Sequence, residues 1–279
     1  MPLSDTTPSA FAGLTLDRPL VMGIVNVTPD SFSDGGQTPT ATQAIERARS
    51  FLGQGADILD IGGESTRPGA IPVSIDEEIN RVIPVIEALA DEGACVSVDT
   101  RNAPVMAAAI KAGAAIVNDV TALQGDEQSL GVVASSTVSV VLMHMQGDPR
   151  TMQQTPQYED VVGEVGGYLI TRINACEQAG LPKERIAIDP GIGFGKSLKH
   201  NLQLLRNLGA FAGLGCPLVL GVSRKSFIGR LSGEDDAAKR LAGSLAAGLY
   251  GIAHGASILR VHDVAQTRQA LDVWAAISN

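Results

Sequence analysis

PLVMGIVNV at residues 19–27 and DILDIG at residues 57–62 decide the fold. Both are short, nearly continuous apolar runs rich in Val and Ile, the composition of a parallel strand buried on both faces. Six more runs of this kind follow, at 95–99, 116–119, 139–144, 185–189, 217–222 and 257–261. Helical patterns lie between them at 42–54, 75–92, 103–112, 126–135, 158–178, 198–208, 237–253 and 264–277. The reading is eight strands and eight helices in alternation, about 35 residues per unit, which is a βα size. Count and length favour an α/β architecture closed as a single (β/α)8 TIM barrel over an open doubly wound sheet.

Residues 1–18 read as an N-terminal arm, frayed or plugging the barrel floor, and residues 19–279 as one catalytic domain. The first two βα connections are long: TPDSFSDGGQTPT at 28–40 and GESTRPGAIPVS at 63–74. Loops of a dozen residues inside a compact domain usually serve as lids or binding loops.

Composition excludes several classes. The 279 residues carry 21 Lys and Arg against 30 Asp and Glu, a net charge of −9, which disfavours wrapping nucleic acid or lying on an anionic membrane. Hydrophobic residues reach 44% and mean hydropathy is +0.15, too apolar for a disordered chain. No apolar run approaches the ~18 residues of a membrane span. The first seventeen residues hold no Lys or Arg, unlike a signal or transit peptide. Cys95, Cys176 and Cys216 are far apart and odd in number, so neither a disulfide framework nor a zinc knuckle is expected. A cytoplasmic protein is the expectation.

In a barrel of this type, chemistry gathers where strands end. That rim reads Asn26, Glu64, Asp99, Asn118, His144, Asp189, Ser223 with Lys225, and Arg260 with His262. Asp99, Asp189 and Asn118 suit a flat heterocycle whose edge offers an amino group and a ring N–H. Arg67, Lys225, Arg260 and His262 suit an anionic ligand portion such as a phosphate or carboxylate. Arg260 and His262 are two apart, on one strand face, just before a helix that begins near Val264. Other motifs fail. PGIGFGKS at 190–197 has Pro190 where a phosphate-binding loop needs its first Gly, and GIGFG is followed by Lys196 where a dinucleotide fingerprint needs Gly. His200 and His254 read as surface or packing residues, His144 stays ambiguous, and no Ser-His-Asp set has a nucleophile-elbow context.

GIVNVTPDSFSDGG (23–36), DIGGESTRPG (60–69), VDT (98–100), NDV (118–120), DPGIGFGK (189–196), SRKSFIG (223–229) and RVHD (260–263) together resemble the dihydropteroate synthase family, in the family's order and across nearly the whole chain. The resemblance implies a transferase of folate biosynthesis. It would join (7,8-dihydropterin-6-yl)methyl diphosphate to 4-aminobenzoate with Mg²⁺, releasing diphosphate. By the same resemblance, Asn26 would hold the metal and, with Arg260 and His262, the diphosphate. Asp99, Asn118, Asp189 and Lys225 would recognise the pterin. Phe32, Thr66, Arg67, Pro68, Phe194 and Ser226 would shape the aminobenzoate site, and Asp34 would arrive with the first loop. Asp34, Lys225, Arg260 and His262 are the catalytic candidates. The resemblance also implies a sulfonamide target and a homodimer. For the Ala- and Gly-rich helix at 240–254, close subunit packing and tight packing on the barrel are both open. Two rivals are weighed: a methyltetrahydrofolate:corrinoid methyltransferase, which would not need the first loop or SRKS, and a noncatalytic pterin-binding paralogue, which would be expected to lose loop residues.

Overall fold

The computed structural model describes residues 8–28, 41–64, 73–148 and 151–278. A two-stranded antiparallel hairpin, β1 (Ala10–Phe11) and β2 (Leu14–Thr15), precedes the parallel sheet. The sheet comprises β3 (Leu20–Asn26), β4 (Ile58–Gly62), β5 (Val96–Asp99), β6 (Ile116–Asp119), β7 (Ser139–Met143), β8 (Ile186–Asp189), β9 (Val219–Leu220) and β10 (Ile258–Val261). Its order is β8-β7-β6-β5-β4-β3-β10-β9. A parallel bridge from Ile188 to Leu218 brings β8 back beside the entry to β9, so the ring is nearly closed. The expected barrel is present.

Around it lie α1 (Ala41–Gly53), α2 (Ile75–Asp91), α3 (Ala103–Lys111), α4 (Ser129–Ala134), α5 (Val161–Gln178), α6 (Leu198–Arg206), α7 (Leu208–Ala212), α8 (Ser226–Ser232), α9 (Leu241–Ala253) and α10 (Val264–Ser278). Two departures from strict alternation have local causes. The expected helix at 198–208 breaks at Asn207, whose φ of −116° and ψ of 27° leave the helical region, and resumes as α7. The seven-residue α8 is too short for a helical period to be legible, yet it buries Phe227 and Ile228.

Strand side chains alternate between two cores. Outward residues such as Val21, Leu59, Val98, Val117 and Leu142 pack against the helices. Inward residues Met22, Ile58, Ile116, Val141, Ala187, Val219 and Ile258 fill the lower barrel. The hairpin closes that floor: Phe11 and Leu16, 1% and 7% exposed, join the same cluster. Burying Phe11 this way is worth about 2 kcal/mol. Asp57 fastens the arm, accepting from Arg18 and Arg268 at 2.6 Å each and from the Val21 amide at 2.8 Å.

Two glycines of α9 face the barrel. A Cβ at Gly251 would stand 2.1 Å from Leu220, and one at Gly248 would stand 3.2 Å from Leu259. These positions let the helix lie close on the barrel. Among the described residues, no helix is long and apolar enough to cross a membrane.

Candidate active site

The alternation that makes the lower barrel apolar turns polar one step up each strand. Above Ile58, Ile116, Ala187 and Ile258 stand Asp60, Asn118, Asp189 and Arg260, each two residues on and therefore on the same inward face. A cavity of about 720 Å³ opens above them, lined among others by Asn26, Asp99, Phe194, Lys225, Arg260 and His262.

Asp60 is the centre of the upper layer. Completely buried, its Oδ1 accepts from the Ser97 hydroxyl at 2.6 Å. Its Oδ2 accepts from Arg260 Nε at 2.6 Å and from Asn118 Nδ2 at 3.2 Å. Arg260 Nη2 reaches Asp99 Oδ2, also at 2.6 Å. Burial alone would lower the Arg260 pKa, but the two carboxylates raise it beyond its usual value, so the guanidinium is a permanent cation in a fixed plane. Burial lifts the Asp99 carboxyl to about 7, with Arg260 opposing that rise.

Asp189 and Lys225 form the second ion-bearing corner. Gly221 borders both: a Cβ there would stand at ordinary contact distance, 3.7 Å from Lys225 Nζ and 3.8 Å from Asp189 Oδ2. Burial raises the Asp189 pKa, with Lys225 the largest opposing influence. Burial presses Lys225 down to about 8, with Asp189 holding it up. The Lys225 ammonium also donates to the Ile192 carbonyl and lies 4.7 Å from the centre of the Phe194 ring. Ser223 Oγ sits 3.0 Å from His262 Nδ1 and accepts from the His262 amide at 3.2 Å. The hydroxyl and Nδ1 share a hydrogen bond that holds the ring beside Ser223.

The loop from Gly191 to Lys196 explains why its resemblance to a phosphate cradle is only apparent. Three of its amides are committed: Gly191 donates to Asp189 Oδ1 and Gly193 to Asn201 Oδ1, each at 2.7 Å, and Phe194 donates to the Gly191 carbonyl. Its six carbonyls are each matched by a donor. Gly191 accepts from the Phe194 amide, Ile192 from Lys225, Gly193 from Gln153, Phe194 from Lys196, Gly195 from Tyr158 and Lys196 from Asn201. Gly191 and Gly195 adopt φ of +69° and +63°, and a Cβ at either would collide with the His144 or Gln146 carbonyl, at 1.9 and 2.3 Å. Only glycine fits such positions.

Most residues expected at the site do meet there. Asn26, Asp99, Phe194, Lys225, Ser226, Arg260 and His262 line the cavity, as do Glu64, paired with Arg101 at 3.3 Å, and Ser223. Asn118 lies beneath, joined through Asp60. Phe32, Asp34, Thr66, Arg67 and Pro68 lie outside the described residues. His144 is not among the cavity-lining residues; it is a buried partner of Lys196, which lines the cavity, and lies edge-on to Tyr168 with ring centres 4.9 Å apart. His200 completes a capping box with Ser197 at the start of α6, and His254 bonds the Tyr250 carbonyl at 2.7 Å, both as packing residues. Asp60, Ser97 and Lys196 were not singled out by residue type. The two-residue period that places Asp60 beneath Gly62 was the signal available for it.

A family model described as "Pterin binding enzyme" matches residues 22–262. Dihydropteroate synthase of Escherichia coli strain K12 is 49% identical over 264 residues, covering 94% of this chain and 93% of that protein. Among solved structures, the Xanthomonas albilineans dihydropteroate synthase with 4-aminobenzoic acid superposes with a TM-score of 0.90 at 52% identity, covering 96% of both chains. The Yersinia pestis dihydropteroate synthase with a sulfonamide drug complex gives 0.90 at 45% identity, covering 95% of this chain and 96% of that one. With this fold, this cavity and identities near one half over nearly its whole length, the chain belongs to the dihydropteroate synthases, transferases of folate biosynthesis.

Proposed function

We propose that this cavity couples (7,8-dihydropterin-6-yl)methyl diphosphate to 4-aminobenzoate as follows. Asp99, Asn118, Asp189 and Lys225 hold the pterin. Arg260, His262 and Asn26 hold its diphosphate. Phe194 and Ser226, with Phe32, Thr66, Arg67 and Pro68, form the aminobenzoate end. The observation that carries this reading is the position of Asp189: a buried acceptor deep in the barrel, within reach of Lys225, suits the amino and ring N–H edge of a pterin. Arg260, with two N–H groups tied to carboxylates, still has N–H donors left for an anion.

Mg²⁺ fits this donor set in partnership with the substrate. Among the described residues no three His, Cys, Asp or Glu side chains converge on a metal position. Asn26 offers one neutral amide oxygen, 3.5 Å from where a Gly62 Cβ would stand. Such a site suits a hard cation that draws its remaining ligands from diphosphate oxygens and water. Asn26 would hold the ion, which when bound would offset diphosphate charge.

Loss of diphosphate precedes attack. The aromatic amine is a weak nucleophile whose lone pair is delocalised, and none of the cavity groups named above is placed as a base that would strengthen it. Arg260 and His262 instead favour departing negative charge. Asp34 of the first loop would stabilise the methylene cation left on the pterin. On the same reading the enzyme works as a cytoplasmic homodimer. The direct test is diphosphate release: it should require both substrates, and tight pterin binding without aminobenzoate-dependent release would instead identify a binding paralogue.

A further inference from the structure

Among the described residues Lys196 is the most deeply buried basic side chain, only 2% exposed, and its surroundings are built around its terminal nitrogen. Nζ meets three acceptors: the Phe194 carbonyl at 2.9 Å, His144 Nδ1 at 3.0 Å and the His144 carbonyl at 3.3 Å. Three donors for three acceptors satisfy an ammonium completely. Facing the charged form of Lys196, His144 Nδ1 accepts and the ring proton lies on Nε2. Burial presses the Lys196 pKa down to about 7, with Asp189 at the end of β8 opposing the fall and Lys225 at the start of α8 adding to it, and His200 at the start of α6 also feels its charge.

The bonds join two different connections. His144 opens the segment after β7, and Phe194 sits in the loop after β8, with the Lys225 ammonium 4.7 Å from its ring centre. Gly191 and Gly195 let the two backbones touch, while Gln153 and Tyr158 from the first segment donate to Gly193 and Gly195 in the second. Lys196 is the member of this clasp whose bond falls on Phe194 itself.

We propose that Lys196 is a positioning residue for 4-aminobenzoate, acting through Phe194 by clamping its carbonyl to the segment that follows β7. The inference rests on Phe194 forming a wall of the aminobenzoate end. Without the clamp the Phe194 ring loses its fixed placement, so the second substrate binds more weakly, while Asp99 and Asn118 stay held through Asp60 and Arg260, and Asp189 and Lys225 keep their bonds to Gly191 and Ile192 earlier in the loop.

Steady-state kinetics of Lys196→Met, His144→Leu and Phe194→Ala test it, with KM measured separately for each substrate. Lys196→Met keeps the length of the side chain and removes all three bonds. His144→Leu removes one acceptor and keeps both carbonyls, so it stays informative if the methionine variant fails to fold. The expected result is a rise of about tenfold in the 4-aminobenzoate KM for Lys196→Met and about threefold for His144→Leu, with the pterin diphosphate KM within about twofold in both. A purely structural role would lower the active fraction, and so kcat, with neither KM moved. That outcome, or an equal rise in both KM values, overturns the inference. Should Phe194→Ala leave the 4-aminobenzoate KM unchanged, the assignment of Phe194 itself is wrong. If Phe194→Ala raises it and neither of the other variants does, the assignment stands and the clamp is refuted.

Discussion

Arg260 and Asp99 face each other across the upper barrel with Nη2 2.6 Å from Oδ2, and the same guanidinium reaches Asp60 through Nε at 2.6 Å. One cation thus ties β10 to β5 and to β4. The residue proposed for the diphosphate is mechanically part of the layer proposed for the pterin, which places the two halves of one substrate on a single rigid unit.

Asp60 is the keystone of that unit, so Asp60→Asn is expected to be costly. An amide donor would stand against the donors of Arg260, Asn118 or Ser97, and Arg260 would keep one carboxylate partner instead of two. Breaking a buried ion pair from one side costs about 3 kcal/mol or more. A urea midpoint lowered in proportion is the expected outcome; an unchanged midpoint would show that Asp60 is not holding the layer together.

Arg260→Ala is expected to weaken the pterin diphosphate more than the corresponding pterin alcohol. Both ligands share whatever disturbance follows from leaving Asp60 and Asp99 without their cation, and their ratio isolates the contact with phosphate. A charged hydrogen bond of this kind is worth about 1.5–3 kcal/mol. Calorimetry that shows equal losses for the two ligands would move Arg260 out of the diphosphate site.

Asp189→Asn should reduce pterin affinity by about 1–3 kcal/mol, because an amide donor would meet a ring donor in a buried place. The Gly191 amide also donates to Asp189 Oδ1 at 2.7 Å, and an asparagine oxygen can keep that bond. The loop should therefore survive while affinity falls. Titration with the pterin alcohol measures it directly, and unchanged affinity would remove Asp189 from the pterin site.

The barrel was legible because its strands are short, nearly continuous runs rich in Val and Ile, from residues 19–27 to residues 257–261. Most rim residues were legible because a polar side chain at the end of such a run has few other uses in a barrel. Asp60 and Ser97 were harder to see, being polar residues inside strands where only facing partners reveal their purpose. Lys196 was read within a failed phosphate motif, since its three acceptors are backbone and ring atoms brought near by two glycines. The helix α8 was invisible to periodicity at seven residues. What a sequence hides here is long-range pairing: 200 residues separate Asp60 from Arg260 and 52 separate His144 from Lys196.

His144 gives a pH signature independent of catalysis. Burial, aided by the Lys196 charge, lowers its pKa from 6.5 to about 3. Between those values the unfolded chain takes up a proton that the folded chain refuses. The stability from neutral His144 is therefore fully present above about pH 6.5 and is lost as pH falls toward 3, a difference on the order of a few kcal/mol. His144→Gln keeps an acceptor for Lys196 and removes this titration. Asp99 titrates in an overlapping range with the opposite slope, but it does so in both proteins and cancels in the comparison. Urea unfolding of the two proteins at pH 7 and pH 4.5 should show a shallower loss in the variant, and parallel losses would mean that His144 takes up its proton in the folded state.

The order of bond breaking is open to an isotopic test. In the proposed sequence the bond between the methylene carbon and the bridging oxygen breaks first, and its electron pair leaves with diphosphate. The amine nitrogen then bonds to the carbon and gives up a proton. If diphosphate stays in the site before the amine attacks, rotation about its α-phosphorus makes the former bridging oxygen equivalent to its two neighbours. Recombination then returns a different oxygen to the bridge. Substrate labelled with ¹⁸O at the bridge, incubated with enzyme and Mg²⁺ without 4-aminobenzoate, should scramble the label into nonbridging positions. His262→Ala and Arg260→Ala, which weaken the groups proposed to stabilise the leaving charge, should slow scrambling and turnover together. Asp34→Ala should slow scrambling while leaving affinity for the pterin alcohol nearly intact, because its proposed role is toward the cation alone. A single-step displacement predicts no scrambling at all in the absence of the amine. An enzyme that turns over normally yet never scrambles, with diphosphate retained and free to rotate, would replace the two-step sequence with a concerted one.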